Sequence, residues 1–327
     1  MRKSERRLFQ LLAGIVVCAN LPAFDSWAQS YPAKPIRMVV GFAAGGATDA
    51  TGRMVAQKLT AHLAQPVVVE NRTGAGGSIA TERVAASAAD GYTLLLLPAS
   101  GPIDSVLRPK LPYDLTRDFA TISLVVIGPY MLVVHPSVPA RNVKELVALA
   151  RSKPGKLSYG SAGVGSSAHL ANELFNSMAK VAMLHVPYKG AAESVVANAS
   201  GEVDLNFTSI NTALPLLKAD RLRPLAVTSA KRSSSMPSLP TLDESGMPGY
   251  DRVGWWGVLA PAGVPKDIIA QLNATIVKAI NTPEMKESLN KLGFEPHTST
   301  PEQFAALIRT EIAQNIKLIK AVGVKAE

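Results

Sequence analysis

Residues 36–63 read as a strand, a glycine turn and a helix, and that order recurs along the chain. Ile36, Met38, Val39 and Val40 form a short apolar run, the pattern of a buried strand. Gly41, Gly45 and Gly46 mark the turn. Val55, Leu59 and Leu63 follow at spacing four and predict a helix. Residues 65–70 are a second strand, 71–78 a second glycine turn and 79–88 a second helix. Residues 92–97 are a third strand, ending at Pro98, Ala99, Ser100 and Gly101. Strands alternating with helices imply parallel pairing through crossovers, hence an α/β fold with a doubly wound sheet. Ligands of such sheets lie outside the carboxyl ends of the strands.

The run 121–135 is apolar and interrupted by Gly128 and Pro129, so it carries the chain into a second domain. There the order repeats: a strand at 157–159, a small-residue loop at 160–167, and a helix with Leu170, Leu174 and Met178 at spacing four. Strands are expected at 183–186, 203–208 and 224–228, helices at 191–200 and 211–219, and a return strand at 255–260. Helices beginning near Pro265, Pro283 and Pro301 close the chain. Asn142 with Glu145, Thr241 with Glu244, and Thr300 with Gln303 have capping-box spacing.

Each strand–loop–helix start leaves backbone N–H groups free at the positive end of a helix dipole, which suits an anion. Gly45 and Gly46 carry no Cβ, so a ligand can approach the backbone. The plainer reading of the first loop is a tight turn with Thr48 or Asp49 as N-cap. Hydroxyls at Thr48, Ser100, Ser161 and Ser166 accompany these loops. No lysine or arginine lies within 43–49 or 161–167, so an anion there is held by N–H groups, hydroxyls and water.

Residues 1–28 have the tripartite pattern of an export signal. Arg2, Lys3, Arg6 and Arg7 precede an apolar stretch, and Ser26 and Ala28 place cleavage after Ala28. Residues 6–9 resemble a twin-arginine signal, with Glu5 an untypical neighbour. A lipoprotein anchor at Cys18 is disfavoured by the bulky Val17 before it. Loss of this segment removes the one cysteine and lowers the formal charge from +9 to +7. The mature chain then has no thiol chemistry, and its charge favours anionic partners weakly. No basic stretch is interleaved with aromatics, which argues against nucleic acid. No later apolar run approaches the roughly 20 residues a membrane span needs.

Catalytic motifs fail on inspection. The loop ending in Gly46, Ala47 and Thr48 lacks the lysine of a phosphate-binding P-loop. The glycines at 163 and 165 lack the third glycine of a dinucleotide fingerprint. A nucleophile elbow fails at Ser161, where Tyr159 takes the place of a glycine, and at Ser78, which Ala80 follows. The histidines are His62, His135, His169, His185 and His297, with no pair at metal-binding spacing, so no metal and no cofactor are expected. His169 either faces a ligand or packs. Asp49 and Asp204 are either paired carboxylates across a cleft or structural end groups.

Several stretches together resemble the Bug-type receptors of tripartite tricarboxylate transporters. They are Tyr31-Pro32-Ala33-Lys34-Pro35-Ile36; Phe42, Gly45, Gly46 and Asp49; Val69-Glu70-Asn71-Arg72; Asp90-Gly91-Tyr92-Thr93-Leu94; Leu111-Pro112-Tyr113-Asp114; Tyr159-Gly160-Ser161 with Gly163, Gly165 and Ser166; His185-Val186-Pro187-Tyr188-Lys189-Gly190; and Ala260-Pro261-Ala262-Gly263. The resemblance implies a type II-like periplasmic binding protein of two doubly wound, mostly parallel α/β domains with the ligand cleft between them. The expected division is domain 1 at 29–131 and 255–327, and domain 2 at 132–254. The implied ligand is a small carboxylate, and the partners are membrane transporter subunits served by a monomeric, non-enzymatic receptor. By matching position the ligand-binding residues are Phe42, Ala44, Gly45, Gly46, Thr48, Asp49 and Ser100 from the first domain. The second contributes Ser161, Gly163, Ser166, Asp204 and Thr208. The sequence departs from the family at Gly41 and Ala44, where prolines are usual, which implies a looser first loop. A ligand-sensing subunit of a signalling system and a hydrolase on the same fold are the rival readings.

Overall fold

The computed structural model describes residues 31–108 and 110–324. The expected signal segment, with Cys18 and the cleavage point at Ala28, lies outside the described residues. The described residues from 34 to 324 fall in one compact unit.

The first strands and helices follow the expected order. β1 (Ile36–Val40) leads to α1 (Ala47–Leu63), β2 (Val67–Asn71), α2 (Ser78–Ala85), β3 (Thr93–Pro98) and α3 (Ser100–Leu107). β1 pairs in parallel with both β2 and β3. Alternate side chains of these strands point to opposite faces. Val39, Leu95 and Leu97 pack with Ala80 and Val84 of α2. On the other face a Cβ on Gly52 of α1 would meet Val40 Cγ2 at 2.9 Å, so the glycine lets the helix sit directly on the sheet.

β4 (Phe119–Val134) runs unbroken through Gly128 and Pro129. Its first half pairs antiparallel with the return strand β9 (Val253–Pro261), and its second half with β7 (Leu205–Ser209) and β8 (Arg223–Val227). The apolar run therefore joins the two halves of the molecule as one long strand, not as a linker. In the second half, β5 (Ser158–Ser161) lies parallel to β6 (Leu184–Pro187) and β7. The sheet is mixed: its outer ladders are parallel, and the ladders onto β4 and between β3 and β9 are antiparallel.

Both faces of the second half are covered. Leu132 and Val134 pack with α4 (Val143–Ser152) and α5 (Ser167–Ala179). Met131 and Val133 pack with α6 (Ala191–Ser200) and α7 (Ile210–Lys218). Burial on both faces explains the continuous apolar sequence of β4. The chain ends in α8 (Lys266–Ile280), α9 (Pro283–Lys291), the short β10 (Glu295–Pro296) against β4, and α10 (Pro301–Val322). Thr300 and Gln303 form a reciprocal capping box at α10. Thr241 and Glu244 make the same reciprocal bonds in a turn where no helix follows.

Candidate functional site

Five helices begin around one cavity. Thr48 at the start of α1, Ser100 of α3, Ser167 of α5, Ala191 of α6 and Ser209 before α7 all line it. Phe42, Tyr130, Phe207 and Trp256 supply the apolar walls. No lysine, arginine, aspartate or glutamate is in the lining. The cavity has a volume of about 60 Å³. The field inside comes from helix dipoles and hydroxyls, as an anion requires where no cation is present.

Thr208 stands out in this wall. It is 2 % exposed, and its Oγ1 has no hydrogen-bond partner. A buried hydroxyl left unpaired costs free energy, so its position at the cavity points to a ligand that completes it. Thr48 differs: its Oγ1 accepts from Trp256 Nε1 at 2.9 Å. Tyr130 and Trp256 were not legible as site residues, because each lies in an apolar run that also reads as core.

Asp49 does not line the cavity. Its carboxylate accepts from Gly45 N–H at 3.1 Å, Asn71 Nδ2 at 3.0 Å and Arg53 Nε at 3.0 Å. Burial works against its ionised form, but the bonds from Arg53, Asn71 and Gly45 outweigh it and hold the pKa below the ordinary carboxylate value. The N-cap of α1 is Gly46, not Thr48 or Asp49, and it makes no side-chain cap bond. Asn71 Nδ2 also donates to Phe42 O at 2.8 Å. Asn71 and Asp49 thus tie down the loop at both ends, and a Cβ on Gly41 would come within 2.8 Å of Gly77 Cα. The loop lacking the usual prolines is held, not loose. Ala44 and Gly45 lie at its exposed tip, outside the cavity lining.

In the second half the expected residues divide. Ser166 lines the cavity and accepts from His169 N–H at 3.3 Å as the cap of α5. Ser161 is fully buried, outside the lining, with Oγ 2.6 Å from His185 Nε2 and accepting from Gly163 N–H at 3.1 Å. Gly163 lines an adjoining groove instead. Asp204 precedes β7 at the end away from the cavity, where Oδ2 accepts from Ser158 N–H at 2.7 Å. It is a structural end group and does not face Asp49 across a cleft.

His169 packs. Its ring stacks on His185 at 4.0 Å, and His185 stacks on Tyr159 at 4.8 Å. Burial, then the neighbouring His185, holds His169 down at about 3; burial holds His185 at about 4. The Ser161–His185 pair has the spacing of a nucleophile and base, but the serine is sealed from the cavity. His185 meets Ser161, Tyr159 and His169, a set without the acid that orients the imidazole of a Ser–His–Asp triad. Among the described residues no cluster of His, Cys, Asp and Glu could hold a metal ion.

The two halves come close beside the cavity and along the adjoining groove. A Cβ on Gly190 would lie 3.1 Å from Ala43 Cβ, and one on Gly76 would lie 3.3 Å from Val164 O.

The family model described as the tripartite tricarboxylate transporter family receptor matches residues 51–324. The chain belongs to that family. Among solved structures it is similar to the R. palustris protein Rpa4515 with adipate, at a TM-score of 0.88 and 36 % identity over 90 % of this chain and 99 % of that one. It is similar to the periplasmic binding protein BugD, at 0.86 and 34 % over 91 % and 100 %. It also resembles MatC from Rhodopseudomonas palustris with bound malate, at 0.84 and 30 % over 88 % and 100 %. The receptor has the two-domain α/β fold of periplasmic binding proteins. Among the described residues no helix is long and apolar enough to cross a membrane.

Proposed function

We propose that this protein is an exported receptor that captures a small organic acid between its two domains and delivers it to a tripartite tricarboxylate-type membrane transporter. The observation that carries the proposal is Thr208: a buried hydroxyl without a partner, in a cavity ringed by helix starts and free of charged side chains. A carboxylate offers acceptors to that hydroxyl and to backbone N–H groups, and its charge is matched by the converging dipoles. The adipate bound by Rpa4515 and the malate bound by MatC belong to this ligand class.

In this reading the domains are 29–131 with 255–327, and 132–254. β4 and the segment before β9 form the hinge between them. The acid is held equally by loops from both, so it stabilises the closed form over the open one. The receptor works as a monomer, needs no cofactor and performs no covalent step.

Thermal unfolding against a panel of mono- and dicarboxylates tests the reading. A bound acid at a hundredfold excess over Kd adds about 2.7 kcal/mol to stability, a shift of several degrees in Tm. A panel in which no carboxylate moves Tm overturns it.

A further inference from the structure

We propose that His169 and His185 are positioning residues for ligand capture: the uncharged, stacked pair holds the loop 161–166 in its binding shape, and a proton on the pair releases loop and ligand together. This rests on the cavity being a carboxylate site and adds a control on it. Ala162 and Ser166 of the loop line the cavity, and Gly163 and Val164 line the groove beside it. The loop also meets the first half of the molecule, since a Cβ on Gly165 would lie 3.0 Å from Leu107 Cδ1 of α3. Gly163 and Gly165 have φ of 105° and 80°, a region that favours glycine. Glycines bring no side-chain packing, so hydrogen bonds set the shape of the loop.

Both histidines take part in those bonds. Gly165 N–H donates to His169 Nδ1 at 3.2 Å. Ser161 Oγ, which accepts from Gly163 N–H, lies 2.6 Å from His185 Nε2. His169 Nδ1 accepts only while it carries no proton; once protonated it is a donor facing a donor. The rings stack at 4.0 Å, so the pair takes up one proton and resists a second. The charged groups on the surrounding elements are engaged elsewhere. Glu173 of α5 accepts from the Tyr159 hydroxyl, Asp104 of α3 from Arg108, and Asp204 from Ser158 N–H. Glu202 accepts from the Tyr188 hydroxyl and Glu193 from Lys189 N–H, and the Lys189 side chain is exposed. Burial therefore keeps both rings uncharged while the loop is in place. When the loop leaves, the solvated rings regain their ordinary value near 6.5. Protons thus favour the released loop, and affinity falls as pH falls through that value.

Calorimetry with adipate and with malate at pH 7.5 and pH 6.0 tests this. Wild-type affinity should be about fourfold weaker at pH 6.0, as one group titrating near 6.5 requires. His169→Asn keeps an acceptor near the Nδ1 position and cannot ionise, so it should bind as wild type does at pH 7.5. Combined with His185→Gln it should bind equally at both pH values, whereas His169→Ala, which lacks the acceptor, should bind weakly at both. If the double variant fails to fold, amide hydrogen exchange of ligand-free wild-type protein decides: protection of residues 161–166, corrected for the intrinsic rate, should fall between pH 7.5 and pH 6.0 while that of β4 holds. An affinity that does not change with pH, or that falls equally in the double variant, overturns the positioning role and leaves the carboxylate cavity standing. If neither acid binds at pH 7.5, the carboxylate reading fails for both probes and the exchange data judge the histidines alone, with unchanged protection overturning their role.

Discussion

Trp256 Nε1 donates to Thr48 Oγ1 at 2.9 Å across 208 positions of sequence. The return strand therefore fixes the first turn of α1, and with it one wall of the cavity. Both residues are buried. Thr48→Val keeps the shape but leaves the indole N–H without its acceptor, which should cost about 1–3 kcal/mol. Thr48→Ser should restore most of it. Urea unfolding of the three proteins decides the matter, and equal stability for valine and serine would show that the indole finds another acceptor.

Thr208 should behave in the opposite way. Its hydroxyl has no protein partner, so Thr208→Val should leave stability unchanged or raise it by up to about 1 kcal/mol. Carboxylate affinity should fall by about tenfold, the worth of one good hydrogen bond. Calorimetry beside urea unfolding reads both effects. A less stable valine variant with unaltered affinity would place the hydroxyl in the fold and not in the site.

The contrast between Thr208 and Asp204 shows what the sequence can and cannot reveal. Alternation and glycine spacing placed the strands and helix starts within a few residues, because buried strands and caps leave local marks. Side-chain direction along a strand does not. Asp204 and Thr208 share a parity, but four residues span about 13 Å, so only one of them reaches the cavity. Tyr130 and Trp256 were hidden because an aromatic residue in an apolar run carries no sign of which neighbour it meets. The histidine stack depends on β5 pairing with β6 in the register that sets Tyr159 opposite His185, and single-sequence reasoning does not supply that register.

That stack should make stability depend on pH. His169 and His185 are held at about 3 and about 4 in the folded protein, below the unfolded value near 6.5. As pH falls, the unfolded chain takes up protons first. The contribution is full above about 6.5 and is lost from there down towards the folded values, by up to about 1.4 kcal/mol per pH unit for each ring. The urea midpoint should drop between pH 7 and pH 5, and His185→Gln should flatten that drop. A midpoint unchanged over this range would mean that the folded protein protonates the pair freely.

Asp49 is expected to affect binding without touching the ligand. Asp49→Ala removes the acceptor shared by Gly45, Asn71 and Arg53, at a cost of about 1–3 kcal/mol in stability. The loop that carries Phe42 and Gly46 loosens, so carboxylate affinity falls as well. Asn71→Ala should produce the same paired loss, because it releases Phe42 O and Asp49 together. Wild-type affinity in a destabilised Asp49→Ala protein would separate the loop from capture.

Closure over the cavity can be blocked at Gly46. Its φ of −84° and ψ of 172° are extended backbone that valine adopts without strain. A Cβ there would sit 3.7 Å from Ala191 Cβ on the opposite side, an ordinary contact, but valine's two Cγ atoms must enter the same space. Gly46→Val should therefore fold with near wild-type stability and hold the halves apart. Gly163 is unsuited to this experiment, since its φ of 105° would strain any β-branched side chain whatever the ligand does. For Gly46→Val the carboxylate-induced shift in Tm should vanish, and the radius of gyration from small-angle scattering should no longer shrink on adding the acid. A folded variant that keeps the full shift would mean that the acid is captured without bringing Gly46 against Ala191, and the closed cavity would not be the binding site.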